Sequence, residues 1–231
     1  LRLGEAFDAR RMVKIQSVHQ AGRAYKTSGE GALKYLEWLV QTGAKTKVPS
    51  TLNPITVDMK HWRNVMGLPP DFYNNQLKTN TAFQKLGYVP FFSCSPYWSY
   101  IAPRFGDHIV WGEHNAVCYA NSVLGARTNF EAHLTGIPAT VTGRIPEYGM
   151  HLKPNRIPQA IVRVKTEIRH PFEWRCLGIY VGRWLCDKIP LFIGLPKQIS
   201  NHQFRDLCSS IGPPYGNIPM LHVEGVTPEA T

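Results

Sequence analysis

The chain has 231 residues, of which 43% are hydrophobic and 11% aromatic, enough for one large domain or two small ones and too apolar for wholesale disorder. Its 26 Lys and Arg residues against 16 Asp and Glu give a formal net charge of +10, which favours an anionic partner or simply indicates a basic enzyme. No apolar run approaches the roughly 20 residues of a membrane span, and no signal-like segment opens the chain, so the sequence predicts a soluble protein.

The first half of the chain predicts two helices, each followed by a strand. Apolar residues recur at helical spacing from Ala32 to Val40, with Gly43 as the helix end. A short strand is predicted at 46–49. The second helix is predicted from Asp71 to Leu86, closed by Gly87, and is followed by a strand at 88–92.

The second half continues the alternation of helices and strands. Ser200-x-x-Gln203 is a capping-box pattern that opens the last helix. The predicted helices are 113–124, 172–187 and 200–211, and the predicted strands are 160–168, 190–193 and 218–223. This order predicts an α/β fold with mainly parallel strands. We expect one such region over residues 1–231, incomplete at both ends, with a division into two subdomains near residues 150–158.

The five cysteines form no CxxC pair and are odd in number. This excludes a zinc ribbon, argues against a disulfide scaffold and favours a reducing compartment. Four of them occur in apolar or helical contexts, which predicts core positions: Cys118, Cys176, Cys186 and Cys208. Cys94 stands before a Ser-Pro turn in FFSCSPY, and we expect that turn to expose its thiol.

The segment YANSVLGARTN, residues 119–129, has the mixture of short polar and apolar residues expected of a helix end that delivers hydrogen-bonding groups into a pocket. Arg127 could clamp a carboxylate or phosphate by two parallel hydrogen bonds, or could pair with Glu131 or Glu113. Ser122 and His19 are candidates for proton transfer. His19 also suits a plain hydrogen bond in a turn.

Several long motifs occur in order along nearly the whole chain, among them CSPY, PRFGDHIVWGE, AVCYANSVLGARTN, TGRIPEYGMHL and HVEGVTPEA. Together they resemble the catalytic large domain of the aconitase X family. The resemblance implies an iron–sulfur hydro-lyase that dehydrates a small hydroxy acid, such as cis-3-hydroxy-L-proline or mevalonate 5-phosphate. It also implies a possible small subunit as partner.

The resemblance assigns roles to particular residues. Cys94 matches a cluster-ligand cysteine, and Ser122 and His19 are the catalytic candidates. The implied substrate-binding residues are Ser17, Tyr25, Thr27, Asn53, Asn121, Arg127, Thr128 and Asn129, with Thr51 and Pro54 in the same turn as Asn53.

The chain also departs from the family pattern. Only Cys94 stands at a matching cysteine position, and the family's serine-rich surroundings of Glu113 are replaced by Gly112, His114 and Asn115. Phe130 places an apolar ring where the family has a polar side chain. We therefore expect that ring, or a neighbour, to fill the space beside Arg127.

These departures lead to our main functional interpretation from sequence. The chain is a divergent, non-catalytic domain without an iron–sulfur cluster, serving as a structural subunit of a larger assembly such as a mitochondrial ribosome. Its positive charge would dock it to RNA or to an acidic protein. The alternative is an active iron–sulfur dehydratase with its remaining ligands on other segments or on a partner subunit. The expected location is the mitochondrion, or otherwise the cytoplasm.

Overall fold

The computed structural model describes residues 1–21, 24–53, 57–212 and 216–230. Within these ranges the helices are α1 (Arg2–Ala6), α2 (Tyr25–Gln41), α3 (Pro70–Leu86), α4 (His114–Ser122), α5 (His133–Thr142), α6 (Pro171–Leu185) and α7 (Asn201–Ser210). The strands are β1 (Met12–Lys14), β2 (Val18–Gln20), β3 (Ser50–Leu52), β4 (Val110–Trp111), β5 (Arg144–Pro146), β6 (Ala160–Arg163), β7 (Pro190–Ile193) and β8 (His222–Val223).

The described strands form three small sheets. One has the order β3-β2-β4 and a second the order β6-β7-β8, and every pair in both is parallel. The third joins β1 and β5 as an antiparallel pair. The predicted α/β fold with mainly parallel strands is confirmed. Because parallel strands end at a common edge, polar residues that follow β2, β3 and β4 are brought together.

The helix predictions succeed where the chain carries a clear stop or start signal. Gly87 ends α3 with φ 107°, and Gly43 follows α2 with φ 75°, both in the left-handed region that favours glycine. Ser200 and Gln203 form the predicted capping box at the start of α7. These signals depend on neighbouring residues alone, so they can be predicted without knowledge of the tertiary fold.

The strand predictions are less accurate. Residues 190–193 are correct, but the strand predicted at 46–49 is found instead at Ser50–Leu52. The segment at 88–92 contributes only an isolated bridge between Val89 and Thr51. The short strands β1, β2, β4 and β5 and the short helix α1 were not predicted, because two to five residues are too few for a periodic pattern to emerge. Helix α5 was not predicted either, since Gly136 and Pro138 within it both disfavour a helix.

Two hydrophobic clusters form the core. One packs β2, β3, α2 and α3 around Leu36 and Phe83, whereas the other joins α4 to α6, α7 and β7 around Trp111 and Phe192. The second cluster contains residues from both sides of the 150–158 segment, such as Trp111 and Phe192, so the two parts of the chain share this apolar core. The predicted division into subdomains stays a prediction.

The cysteine prediction was right for two of the four residues assigned to the core. Cys118 and Cys208 are buried against each other, but Cys176 and Cys186 are exposed on and just after α6. Apolar neighbours did not indicate burial of Cys176 and Cys186, because α6 also exposes large apolar side chains, including Phe172, Tyr180 and Trp184. In the described ranges, no helix combines the length and apolar character that crossing a membrane requires.

Candidate functional site

The carboxyl edge of the β3-β2-β4 sheet collects a group of polar side chains. His19 lies in β2, Asn53 follows β3, and Glu113 follows β4 at the start of α4. The Cys94 segment joins them, because the Asn53 side chain hydrogen-bonds the Cys94 thiol and the charge of Glu113 acts on it. We call these residues, with Asn115, the sheet-edge cleft. Such edges are where open parallel sheets bind ligands.

Cys94 is the exposed thiol of this cleft, as predicted. Its backbone is fixed by Asn115, whose Nδ2 donates to the Cys94 carbonyl at 2.7 Å. Partial burial raises the pKa of the Cys94 thiol, and Glu113 raises it further, while the hydrogen bond from Asn53 opposes them. The thiol is therefore protonated at neutral pH until a cation binds it.

His19 is a buried, neutral part of the sheet beneath the cleft. Its ring is 1% exposed, and its Nδ1 lies 2.8 Å from the Thr51 hydroxyl. Burial lowers the pKa of His19 to about 4, against an opposing interaction with the Ser93 backbone. Nε2 has no hydrogen bond of normal geometry among the described residues. At pH 7 this imidazole is suited to hydrogen bonding rather than to carrying a proton.

Sequence reasoning did not select Glu113 or Asn115 as site residues. Both stand in the WGEHNA segment, which was treated as a departure from the family pattern. The signal that could have identified them is their position directly after β4, on the first turn of α4. A carboxylate and an amide at that point face the crevice where parallel strands end.

The resemblance implies an iron–sulfur cluster, so the available ligands matter. Among the described residues, no three His, Cys, Asp or Glu side chains are grouped in a way that would hold a metal ion. Three of the cysteines are exposed, and of these Cys94 is the one that lies in the sheet-edge cleft, where its thiol could serve as a cluster ligand. The described residues thus supply one candidate cluster ligand, and the remaining ligands would come from other segments or from a partner.

Asn121 and Ser122 are core residues that connect α4 to the end of the chain. The Asn121 amide pairs with the backbone of Thr128 and donates to the Pro219 carbonyl at 2.9 Å. The Ser122 hydroxyl accepts from the Leu221 amide at 2.9 Å and is 1% exposed. The Thr128 hydroxyl accepts from the Trp111 amide at 3.1 Å. All three side chains support the scaffold, and the functional roles predicted for them stay predictions.

Arg127 lies at the opposite edge of the sheet from Cys94. Residues 127–131 run beside β4, since Ile109 donates to the Arg127 carbonyl and Glu131 donates to the Trp111 carbonyl. Arg127 is therefore level with the residues before β4, about 13 Å along the strand direction from Glu131. The chain does not bring Arg127 to the sheet-edge cleft.

Asn129 lies between Arg127 and Glu131 on the extended segment. Its Oδ1 accepts from the Met150 amide at 2.7 Å, and its Nδ2 donates to the Tyr148 carbonyl and to Glu131. Each polar atom of this amide already has a protein partner. Its local role is to hold the 148–150 turn against the extended chain.

The remaining predicted residues come from the start of the chain. The Ser17 hydroxyl is buried and accepts from the Trp111 indole at 3.2 Å. Tyr25 begins α2 with its amide bonded to the Gln76 side chain at 2.8 Å, and the Thr27 hydroxyl donates to the Ala24 carbonyl. Pro54 lies outside the described residues. The binding roles of Tyr25 and Thr27 stay predictions.

The expectation about Phe130 was wrong. Its ring packs against His114 at a centroid distance of 4.8 Å and against the core cluster around Trp111. Arg127 instead borders a cavity of about 600 Å³ that Phe130 does not line. The reason is the alternation of the extended chain, which sends neighbouring side chains to different faces.

Comparison with known proteins covers the whole chain. The family model for the aconitase X first domain matches residues 1–154, and the model for the second domain matches residues 158–231. The chain is 36% identical over 227 residues to a phosphomevalonate dehydratase large subunit from Thermococcus kodakarensis, covering 98% of this chain and 56% of that protein. It is also 36% identical to a cis-3-hydroxy-L-proline dehydratase from Hypocrea jecorina, covering 100% of this chain and 39% of that protein.

A solved structure gives the same result. The crystal structure of Thermococcus kodakaraensis aconitase X in its holo-form superposes with a TM-score of 0.87 at 34% identity, covering 99% of this chain and 56% of that one. The chain thus spans about half the length, or less, of the relatives it matches. Those relatives are dehydratases or their large subunits, which favours the dehydratase alternative over the ribosomal interpretation. By sequence and by fold alike, the chain belongs to the aconitase X family.

Proposed function

We propose that this chain is part of a dehydratase that removes water from a small hydroxy acid. The observation that carries the proposal is the placement of Cys94, Asn53 and Glu113 together at the carboxyl edge of a parallel sheet. Identity of 36% to phosphomevalonate and cis-3-hydroxy-L-proline dehydratases supports the reaction class. Either of those substrates is a candidate for this chain.

The roles within the cleft follow from the chemistry of dehydration, which removes a carbon-bound proton and expels hydroxide. Glu113 is the carboxylate of the cleft, and we assign its side-chain oxygens to the acceptance of that proton. The Asn53 amide orients the Cys94 thiol. His19 and Thr51 form a neutral hydrogen-bonded floor that keeps the cleft rigid.

Cys94 would hold the iron of a cluster as its thiolate. When bound, that iron would supply Lewis acidity at the departing oxygen. The other ligands would come from outside the residues described here or from a second subunit. The relatives named as large subunits support a small subunit as partner.

The mitochondrial location and the RNA contact were predicted from the net positive charge and from the departures from the family pattern. The comparisons support neither a ribonucleoprotein role nor a location. The structural-subunit interpretation therefore serves as the competing outcome of the experiment below.

The test is anaerobic purification of the native protein with whatever subunit accompanies it. We expect a coloured protein that contains iron and dehydrates mevalonate 5-phosphate or cis-3-hydroxy-L-proline. Glu113→Gln should keep the iron and lose turnover by about 10²- to 10⁴-fold, because only the proton acceptor is removed. A colourless, iron-free protein that sediments with a ribonucleoprotein particle would instead support the structural-subunit interpretation.

A further inference from the structure

The sheet-edge cleft leaves a cavity beside Arg127 unexplained. This cavity has a volume of about 600 Å³. It lies where Phe105 and Arg127, the first residue of the extended segment 127–131, meet the segments 153–158 and 222–229. Its wall includes Phe105, Arg127, Lys153, Arg156, Ile157 and Glu229, together with three prolines. The volume is ample for a small metabolite.

The cavity lies by Arg127, toward the amino end of β4 and away from Cys94. Arg127 is level with His108, before β4 begins. Asn53 and Glu113, by contrast, follow the carboxyl ends of β3 and β4. The two sites therefore occupy opposite edges, and one small ligand cannot fill both.

The cavity wall carries uncompensated positive charge. Arg156 is neutralised by Glu229, whose oxygens lie 2.6 to 3.0 Å from its guanidinium. The Lys153 ammonium makes no hydrogen bond or salt bridge with any described residue, and Arg127 forms no salt bridge among them. Glu147 feels the charge of Arg127, but that carboxylate is held in a two-bond pair by Arg11.

Arg127 also has unused hydrogen-bond donors. Its Nη1 donates to the His151 carbonyl at 3.3 Å, whereas its Nε is buried and has no partner among the described residues. A guanidinium carries five N–H donors in a planar fork. Its remaining donors and the Lys153 ammonium together suit an oxyanion.

The rest of the wall is apolar. Phe105 is 64% exposed and Ile157 is 63% exposed, and three prolines complete this surface. Contact with a ligand would remove part of this apolar area from water. A bare inorganic ion would leave these side chains unused.

We infer that this cavity binds a small organic anion, a carboxylate or phosphate on a short hydrocarbon body, at a site separate from the sheet-edge cleft. Arg127 and Lys153 bind the charged group, and Phe105, Ile157 and the prolines contact the hydrocarbon. Because the lining comes from both family-matched segments, 1–154 and 158–231, the ligand ties them together. The site stands whether or not the sheet-edge cleft catalyses dehydration.

The test is calorimetric titration of the purified protein with n-propyl phosphate and with butyrate, which differ in the charged group, and with n-propanol as the uncharged control. We expect one of the anions to bind and the alcohol not to. Arg127→Gln and Lys153→Gln should each weaken that binding at least about fivefold. Lys153→Gln changes an exposed side chain without described partners, so it keeps its fold.

Two further variants make the result decisive. Arg163→Gln removes an exposed positive charge outside the cavity, and Asn53→Ala alters the sheet-edge cleft. Both should bind the anion with unchanged affinity. The inference is overturned if neither anion binds, if Lys153→Gln and Arg127→Gln bind as the unchanged protein does, or if Asn53→Ala abolishes binding.

Discussion

Cys94 owes its functional interest to three side chains that come from distant parts of the sequence. Asn53, Glu113 and Asn115 reach it from the ends of two strands and from α4. The sequence predicted the exposure of Cys94 from the Ser-Pro turn and its role from family resemblance. It did not predict Glu113 as a neighbour, because only the parallel register of β2, β3 and β4 brings these residues to one edge.

The hydrogen bond from Asn53 should be measurable in the reactivity of Cys94. Removing it in Asn53→Ala takes away the interaction that lowers the thiol pKa, so less thiolate is present at pH 8. We expect alkylation of the Cys94 peptide by iodoacetamide, followed by mass spectrometry, to slow roughly tenfold. The Cys176 peptide provides the internal control, and equal slowing there would argue against a local effect.

Three buried histidines should make the protein less stable in mild acid. Burial lowers the pKa of His19 to about 4 and that of His151 to about 3, and it also lowers the pKa of His222. The unfolded chain takes up protons below about pH 6.5, whereas these folded imidazoles stay neutral. Stability is therefore full above that pH and falls as the pH drops toward the folded values.

Urea unfolding at pH 7 and pH 5 measures this effect. We expect the free energy of unfolding to fall by roughly 1–2 kcal/mol for each of His19 and His151 between these two values, and His222 acts in the same direction. The raised pKa of buried Glu131 opposes part of the loss, because the folded state binds that proton more tightly. His151→Asn should show a smaller pH dependence, and an unchanged dependence would contradict the assignment.

At the scale of elements, the close contact between α6 and α7 could not be predicted from the sequence pattern. The sequence predicts helices at 172–187 and 200–211, the second opened by a capping box, and both helices form within two residues of those bounds. It could not show that Gly178 and Gly182 allow the two helices to touch. A Cβ at Gly182 would fall on the Ile211 carbonyl at the end of α7. Such contacts depend on the tertiary fold.

Gly182→Ala should therefore be strongly destabilising. The added methyl group forces α6 and α7 apart, and we expect a loss of about 2–3 kcal/mol in the free energy of unfolding. Gly31→Ala is the matched control, since a Cβ at this exposed α2 position meets nothing within 4 Å. It should instead raise stability by about 0.5–1 kcal/mol through helix propensity. Thermal or urea unfolding of both variants makes the comparison.

For the molecule as a whole, Arg156 joins the parts that the two family models match. It is 2% exposed, pairs with Glu229, and donates to the Asn121 carbonyl at 3.0 Å and to the Met150 carbonyl at 3.1 Å. From sequence, Asn121 is expected in a substrate pocket and Arg156 has no predicted role. Only the fold shows that the two residues lie together, 35 positions apart in sequence.

Arg156→Met should weaken this junction. It leaves Glu229 and the Asn121 carbonyl without their partner, which costs about 3–5 kcal/mol for a buried pair. The surface pair of Arg11 and Glu147 offers a control, because Arg11 is exposed and its loss to Met should matter little. Equal destabilisation by the two substitutions in urea unfolding would contradict a special role for Arg156.

The most direct test of the account is the iron content and turnover of Cys94→Ser beside Cys176→Ser, both purified anaerobically with any accompanying subunit. Cys94 lies in the sheet-edge cleft, and Cys176 is an exposed thiol on α6. The account predicts that Cys94→Ser loses iron and dehydratase activity, while Cys176→Ser keeps both. Full iron and full turnover in Cys94→Ser would contradict it.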